Sequence, residues 1–327
     1  MAFTFRPAAR EDVSLLVGLS GGTGSGKTFS GMRLAKGIAG DRPFAVIDTE
    51  AGRAKHYADR FKFDHGDLKP PFRPDTYAEA IAAADAAHYP VILVDSTSHE
   101  WAGEGGILDW QEDELQRMAG DDFKKREACK MAAWIKPKVA HKQMVQRLLQ
   151  VRAHLILCFR AEPKIEMVRN DQGKMEIVEK KSLTGLHGWI PITEKNLPYE
   201  LTASFLLMAD HPGVPLPIKL QEQHRALFPL NEPITEASGA RLAAWAKGGA
   251  AAAPEPPIDW LARIHEAGTK AALQAVGKQL NAAKRTMPAH ELETLRAAYD
   301  TRLKALGTAK RTDAPDPVAA GDIQWRP

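Results

Sequence analysis

The residues Gly21-Gly22-Thr23-Gly24-Ser25-Gly26-Lys27-Thr28 decide how the rest of the sequence is interpreted. They fit the pattern G-x-x-x-x-G-K-[ST] at every fixed position. An apolar run at 14–19 precedes them, and a helical pattern over 28–39 follows. A strand, a glycine-rich loop and a helix in this order bring backbone N–H groups and a helix N-terminus together. The segment therefore predicts a phosphate-binding loop.

The residue types of this loop suit a nucleoside triphosphate with a divalent cation. Glycine lacks a Cβ, so successive backbone N–H groups can close around phosphate oxygens. We expect the Lys27 ammonium to reach the β- and γ-phosphates and the Thr28 hydroxyl to ligate Mg²⁺. ATP and Mg²⁺ are the predicted ligands, and the predicted nucleotide contacts are Gly21, Gly22, Thr23, Gly24, Ser25, Gly26, Lys27 and Thr28.

Unbroken apolar runs indicate strands that are buried on both faces of a parallel sheet. The runs cover residues 14–19, 44–47, 91–94 and 154–159. Helical patterns separate them, at 28–39, 76–87 and about 132–152. This alternation predicts an α/β domain with a mainly parallel central sheet, built from right-handed βαβ units.

The pattern changes after residue 159. Residues 165–168 and 175–178 flank a turn-rich segment and predict a hairpin. Two further strands are predicted at 200–208 and 218–220, separated by the proline- and glycine-rich residues 210–217.

Composition divides the chain into parts. Residues 1–245 are predicted to form the α/β domain, and the Ala/Gly/Pro-rich residues 246–257 a linker. Apolar residues at three-to-four spacing predict a helical module of two helices over 258–308, broken near Thr286-Met287-Pro288. Residues 309–327 are predicted to be a disordered tail.

Length, charge and cysteine content exclude several classes of protein. The chain has 327 residues, 44 Lys and Arg against 41 Asp and Glu, and only two cysteines. A net charge of +3 excludes a globally basic protein, and two cysteines cannot make a disulfide framework. There is no run of 18 apolar residues, and residues 1–10 have no apolar core. We therefore expect a cytoplasmic protein with no membrane association.

Carboxylates follow two of the predicted strands. Asp95 ends the run at 91–94, where it is expected to hold Mg²⁺ through a water molecule. Glu50 follows the run at 44–47 and is a candidate base that orients the attacking water. Glu100 competes for that role, and the alternative for 48–50 is a surface turn with a capping side chain.

Cationic residues near the predicted site supply charge for phosphoryl transfer. Arg160 ends the run at 154–159 and is a candidate sensor of the γ-phosphate, the alternative being a solvated charge. Lys164, Lys180 and Lys181 are candidates for reaching the nucleotide of a neighbouring subunit in a homo-oligomer. No histidine or cysteine shows metal-ligand spacing, so Mg²⁺ is the only metal expected.

The segment 117–152 is locally basic. It has ten Lys and Arg against three Asp and Glu, a net charge of +7, with Phe123 and Trp134 among them. Cations and aromatic rings together are used by grooves that bind single-stranded nucleic acid. A solvated helix face with aromatic residues in the core is the alternative.

The phosphate-binding loop, Ile47-Asp48-Thr49-Glu50 and Val91-Ile92-Leu93-Val94-Asp95-Ser96 together resemble the ATPase core of the RecA/RadA superfamily. The resemblance implies a RecA-like P-loop NTPase core, to which the periodicity of 258–308 adds a small C-terminal helical module. It also implies that Glu50 is the catalytic glutamate and Asp95 the Mg²⁺-linked aspartate. Arg160 falls where the family carries a polar γ-phosphate sensor, but RecA has glutamine there.

Residues 3–235 are more closely similar to the RecA-like, AAA-type ATPases of tailed phages and prophages. The similar segments are 47–53, 95–101, 118–122, 148–156 and 194–205. The resemblance implies a role beside phage recombination or single-strand-binding proteins in a bacterial host. Phe5-Arg6-Pro7-Ala8 fits the F-x-x-A polymerisation motif of RadA-type proteins, a pattern short enough to arise by chance.

Three functions are consistent with these features. The first is an ATPase that couples hydrolysis to single-stranded DNA binding in recombination or repair. The second is an ATP-dependent assembly or loading protein with little turnover, whose helical module binds a partner. The third is a P-loop kinase that phosphorylates a small molecule, with the segment 117–152 as its lid.

Overall fold

A computed structural model describes residues 10, 13–163, 165–169, 173–179, 188–248, 259–283 and 289–308. Its contacts divide the chain into two units, Met1–Glu255 and Pro256–Pro327. Most of the predicted linker, residues 249–257, and the predicted tail at 309–327 lie outside the described residues. Ala246 itself belongs to the last helix of the first unit, where it is buried.

The first unit alternates strands and helices. Its strands are β1 Leu16–Gly21, β2 Phe44–Asp48, β3 Phe63–Asp67, β4 Val91–Asp95, β5 His154–Pro163, β6 Ile165–Arg169, β7 Met175–Glu179, β8 Trp189–Pro191, β9 Ala203–Met208 and β10 His211–Lys219. Its helices are α1 Lys27–Ala39, α2 Pro74–Ala86, α3 Ser98–Ala102, α4 Ile107–Ala119, α5 Phe123–Ala133, α6 Ile135–Leu148, α7 Leu197–Glu200 and α8 Glu236–Ala246. Short 3-10 helices cover Arg53–Tyr57 and Glu222–Leu227.

The central sheet has the strand order β10-β9-β1-β5-β4-β2-β3, and β8 pairs with β5 beside this path. All neighbours from β9 to β3 are parallel, whereas β10 is antiparallel to β9 and β8 to β5. The prediction of an α/β fold with a mainly parallel sheet is confirmed. Strands β6 and β7 form the predicted antiparallel hairpin as a separate two-stranded sheet.

The two faces of the sheet are covered by different helices. Val91 and Leu93 of β4 pack in a cluster with residues of α1 and α8. Ile92 and Val94 pack on the other face with residues of α2 and α6. Because every second residue meets a different helix layer, the central strands have no polar face, which explains their unbroken apolar sequences.

The strand β10 corrects the prediction at the C-terminal side of the sheet. Residues 210–217 were expected to separate two strands, but Pro212, Pro215 and Pro217 lie within β10. Among the described residues this strand pairs with β9 alone, so a missing N–H on its open side leaves no ladder bond unmade. The strand predicted at 200–208 begins at Ala203, because Glu200 belongs to α7.

Several elements were not predicted. Strand β3 (FDHGD) is polar and lies at the other sheet edge, so it lacks the apolar run used to find strands. The helix predicted over about 132–152 is observed as α6, and α5 is an additional helix that precedes it and meets it at Trp134. Asp122 caps α5 by accepting a hydrogen bond from the Lys125 N–H at 3.1 Å.

The second unit has three helices where two were predicted: α9 Trp260–Glu266, α10 Lys270–Ala283 and α11 Ala289–Thr308. The additional break follows from a cap, because the Thr269 side chain accepts a hydrogen bond from the Ala272 N–H at 3.1 Å and starts a new helix. The predicted break at 286–288 lies outside the described residues. Trp260, Ile264, Leu273 and Tyr299 are among the apolar residues that form the core of this unit.

Two glycines set the distance between α1 and α8. A Cβ at Gly37 would lie 1.9 Å from the Glu236 carbonyl oxygen, and one at Gly239 would lie 2.2 Å from the Leu34 carbonyl oxygen. Both obstacles are backbone atoms, which cannot turn aside as a flexible side chain can. The two helices therefore approach so closely that only glycine fits at these positions.

We predict that Gly37→Ala lowers the free energy of unfolding by about 1–3 kcal/mol, since the added methyl group must push α8 away. Helix propensity alone favours alanine over glycine by about 0.5–1 kcal/mol. A lower free energy of unfolding for the variant would therefore show that the steric clash outweighs helix propensity. Urea unfolding of both proteins measures it. Gly66→Ala is the control, because its Cβ would meet nothing closer than 3.7 Å. An unchanged or higher midpoint for Gly37→Ala would contradict the close helix contact.

Candidate functional site

The carboxyl ends of four parallel strands meet at one cavity of about 770 Å³. The register of the sheet places Gly21 opposite Arg160, and Asp48 opposite Asp95. The cavity is lined by all eight residues of the phosphate-binding loop, 21–28, and by Glu50, Asp95 and Arg160. Every residue of the predicted site thus lies at this one edge of the sheet. Arg53, His56 and Tyr57 also line the cavity and were not predicted.

The backbone of the phosphate-binding loop requires glycine at several positions. Gly24 and Gly26 have φ of 77° and 81°, in the left-handed region. A Cβ at Gly21 would lie 2.4 Å from the Leu207 carbonyl oxygen. The Ser25 hydroxyl donates a hydrogen bond to the Gly22 carbonyl oxygen at 2.8 Å and so holds the loop from inside. These contacts fix a curved backbone whose inner surface faces the cavity.

Lys27 and Thr28 form the first turn of α1, directly below the loop. The Lys27 Nζ donates a hydrogen bond to the Gly22 carbonyl oxygen at 3.0 Å, so the ammonium spans the loop. The Thr28 hydroxyl donates to Asp95 Oδ2 at 2.6 Å. The cavity is thereby surrounded by the N-terminus of a 13-residue helix, a lysine ammonium and a hydroxyl group. This combination fits a phosphate chain.

Asp95 is buried at the end of β4, with 6% of its surface exposed. Burial raises its pKa to about 6, although the hydrogen bond from Thr28 and the charge of Lys27 act in the opposite direction. The Thr28 and Asp95 oxygens fit Mg²⁺, which takes few protein ligands and completes its shell with phosphate and water oxygens. Across the described ranges there is no cluster of three or more His, Cys, Asp or Glu side chains suited to a metal ion.

Glu50 lies at the cavity with both carboxylate oxygens bonded to arginines. Arg53 Nη1 donates to Oε2 at 2.6 Å, while Arg160 donates to Oε1 from Nη2 at 2.8 Å and from Nε at 3.1 Å. Burial opposes ionisation of Glu50, but the two arginines outweigh it and hold its pKa below the usual value. Arg160 is therefore an ion-pair partner of Glu50 in this structure.

The turn that carries Glu50 is fixed by its neighbour Asp48. Asp48 accepts hydrogen bonds from the Glu50 N–H at 2.6 Å and from the Ala54 N–H at 2.8 Å. The Thr49 N–H donates to the Asp95 carbonyl oxygen at 2.9 Å, which ties the ends of β2 and β4 together. The capping role considered for residues 48–50 thus belongs to Asp48, and Glu50 remains available to the cavity.

Glu100, the competing candidate base, does not line this cavity. Its side chain is fully buried, and its Oε1 lies 2.9 Å from His141 Nδ1 on α6. The geometry therefore favours Glu50 over Glu100 for contact with a bound nucleotide. Lys164, Lys180, Lys181 and Phe5-Arg6-Pro7-Ala8 lie outside the described residues.

The net positive charge of the basic segment 117–152 is smaller in the folded structure than a count along the sequence suggests. Arg117 and Lys136 both pair with Glu114, at 2.7 and 3.0 Å. Arg126 pairs with Glu112, which also belongs to α4 and lies outside the segment. Lys130 pairs with Glu127 at 3.7 Å, and Arg152 with Asp85 at 3.6 Å. The carboxylates of α4 and Asp85 thus offset much of the charge of +7.

The remainder of that segment still presents charge and apolar surface. Lys124, Lys125 and Lys142 are exposed and form no ion pair with the described residues. Phe123 is 76% exposed, whereas Trp134 stacks on Trp101 with 5.9 Å between ring centroids. Of the two aromatic residues predicted for base stacking, only Phe123 is free of such a partner ring among the described residues.

Comparison of the chain with models of known protein families and with curated proteins gives no match in either case. Within the described ranges, no helix has the length and apolar content needed to cross a membrane.

The buried Asp95 makes stability depend on pH. Its folded pKa of about 6 exceeds the usual 3.8, so its contribution to stability is present at low pH and is lost as pH rises through 6. Asp95→Asn removes this loss, which amounts to about 3 kcal/mol at most. We predict that without Mg²⁺ the variant gains stability relative to the parent at pH 8 but not at pH 4.

Urea unfolding at the two pH values measures this difference. Asp59→Asn, at an exposed position away from the cavity, is the control for loss of a carboxylate. A gain that is the same at pH 4 and pH 8 would exclude titration of Asp95 as its origin.

Proposed function

We propose that the protein is a RecA-like P-loop ATPase that binds ATP with Mg²⁺ and hydrolyses it. The observation that carries the proposal is the shared cavity of the phosphate-binding loop, the Thr28–Asp95 pair and Glu50. A loop for phosphates, an oxygen pair for Mg²⁺ and a carboxylate for water are the parts that ATP hydrolysis requires. The resemblance of 47–53 and 95–101 to phage ATPases supports the same assignment.

The residues of the cavity divide the chemistry among them. The backbone N–H groups of 21–28 and the Lys27 ammonium bind the phosphate chain and offset its negative charge. Thr28 and Asp95 would hold Mg²⁺, which would supply positive charge to offset the charge that develops on the phosphates. Phe29 and Tyr57, with 5.9 Å between their ring centroids, give the cavity an aromatic wall suited to a nucleobase.

Glu50 orients the attacking water and takes up its proton. The water oxygen forms a bond to the γ-phosphorus while the bond from that phosphorus to the β-phosphate oxygen breaks, giving ADP and phosphate. The proton passes from water to Glu50 and then to solvent. Arg160 adds positive charge beside the transferred group, since its strand position is opposite Gly21 of the loop.

We predict that Lys27→Ala reduces ATP turnover at least ~100-fold, because it removes the cation that offsets charge on the β- and γ-phosphates. A coupled assay for ADP release with purified protein and Mg²⁺ measures turnover. Lys62→Ala, which removes an exposed lysine away from the cavity lining, should leave turnover unchanged. ATP hydrolysis by Lys27→Ala at the parent rate would contradict the P-loop assignment.

The partner that we propose is single-stranded DNA, bound on the surface formed by α5 and the start of α6. This surface carries the exposed cations Lys124 and Lys125 next to the exposed ring of Phe123. Cations attract the phosphate backbone, and an exposed ring can stack on a base. In this proposal, ATP hydrolysis is coupled to DNA binding in phage recombination or repair, as the family resemblance implies.

We predict that single-stranded DNA stimulates ATP turnover several-fold at low salt and less at high salt. Replacing both Lys124 and Lys125 by Ala should weaken DNA binding and reduce its salt dependence, measured by fluorescence anisotropy at several salt concentrations. Lys130→Ala removes a neighbouring charge that Glu127 already offsets, so it serves as the control and should have a smaller effect.

Turnover that is indifferent to DNA would remove the DNA partner and leave the ATPase assignment intact. Tight ATP binding without turnover would favour an assembly or loading protein. Transfer of the γ-phosphate to a small acceptor would favour a kinase.

A further inference from the structure

The carboxylate of Glu50 is held by two arginines that differ in how they are attached. Arg53 is three residues along the chain, in the 3-10 helix Arg53–Tyr57, and bonds Oε2. Arg160 is 110 residues away on β5 and bonds Oε1. Each oxygen therefore has its own guanidinium partner, and the two partners belong to separate parts of the fold.

Arg53 is tied to the same turn as Glu50. The Arg53 N–H donates to the Glu50 carbonyl oxygen at 3.3 Å, and Asp48 accepts from both the Glu50 and the Ala54 N–H groups. Gly52, between them, has a φ of 82°, which lets the chain fold back on itself. The turn therefore fixes the backbone positions of Arg53 and Glu50 relative to each other.

Arg160 is placed to change partners. It is opposite Gly21 of the phosphate-binding loop in the β1–β5 register, on a strand that is separate from the turn of Glu50. A phosphate bound in the loop offers more negative charge than one carboxylate and competes for this guanidinium. When Arg160 moves to phosphate, Oε1 of Glu50 becomes free, whereas Oε2 stays bonded to Arg53.

We propose that Arg53 is a positioning residue that holds Glu50 oriented and ionised, while Arg160 exchanges from Glu50 to the γ-phosphate. This inference rests on the proposed ATPase function. Without nucleotide, Oε1 accepts two hydrogen bonds from Arg160, so this oxygen has no lone pair left for an attacking water. With nucleotide, Oε1 faces the attacking water and Oε2 keeps the carboxylate in place.

The charges around Glu50 set the expected pH response. Arg53 and Arg160 favour its ionised form. Other titratable groups near this end of the sheet include Lys27, Asp48, Asp95 and His99, together with His56 and Tyr57 in the cavity lining and His65 beside Asp48. Removal of Arg53 takes away a cation, so the pKa of Glu50 rises. A base works only when ionised, and the acid limb of kcat should therefore move to higher pH.

The test compares Arg53→Gln with the parent protein in steady-state ATP hydrolysis from about pH 5 to pH 9. We expect kcat to fall about 10- to 100-fold, as for other losses of orientation, with KM for ATP within about twofold of the parent. The acid limb should shift to higher pH, and Arg53→Lys should recover part of the rate. Lys55→Gln, in the same 3-10 helix but outside the cavity lining, should match the parent.

Parental kcat with an unshifted pH profile for Arg53→Gln overturns the inference while the ATPase function stands. A large rise in KM with unchanged kcat also overturns it, since Arg53 would then act by binding nucleotide. If the parent protein neither binds nor hydrolyses ATP, the result contradicts the proposed ATPase function itself.

A second measurement does not depend on turnover. In ¹⁵N spectra of the arginine side chains, the Nε resonance of Arg160 should shift when Mg²⁺ and a non-hydrolysable ATP analogue are added. The guanidinium resonances of Arg53 should keep their ion-paired positions, and their absence from the spectrum of Arg53→Gln identifies them. Equal shifts of both arginines would contradict the exchange of one partner alone.

Discussion

Parallel pairing of β1, β5, β4 and β2 is the constraint on which the candidate site depends. Parallel strands end at the same edge, and the register aligns Gly21 with Arg160 and Asp48 with Asp95. Four segments that are far apart in sequence thereby bring their first loop residues together at one place. The hydrogen bond from the Thr49 N–H to the Asp95 carbonyl oxygen extends this alignment past the last ladder pair.

The sequence was most informative where burial acts on both sides of a strand. The runs at 44–47, 91–94 and 154–159 lie between two helix layers, so their apolar character identified them and placed Glu50 and Asp95 at strand ends. Arg160 was expected to end its strand as well, but it lies within β5, which continues to Pro163 and pairs there with β8. Strand β3 was not predicted because it lies at an edge of the sheet, where a polar sequence is tolerated. The prolines of β10 suggested a break for the same reason, since an edge strand has one side that needs no hydrogen-bond donor.

The pairing of charged side chains was harder to predict from the sequence than the position of each residue in the fold. Arg53 follows Glu50 by three residues, yet spacing alone does not indicate whether it meets Glu50 or solvent; the turn made by Asp48 and Gly52 decides that. The basic segment shows the same limit on a larger scale. A count over 117–152 omits the carboxylates of α4, and these reach Arg126 and Lys136 only after the helices pack.

The edge strands also bear on aggregation. A wide sheet exposes unpaired backbone groups along its outer strands, and these can template growth from one molecule to the next. On one side, Pro212, Pro215 and Pro217 remove donors from β10. On the other, β3 is only five residues long and carries the exposed carboxylates Asp64 and Asp67. Prolines protect one edge of the sheet and charged side chains protect the other. Both edges therefore disfavour the addition of a strand from another molecule.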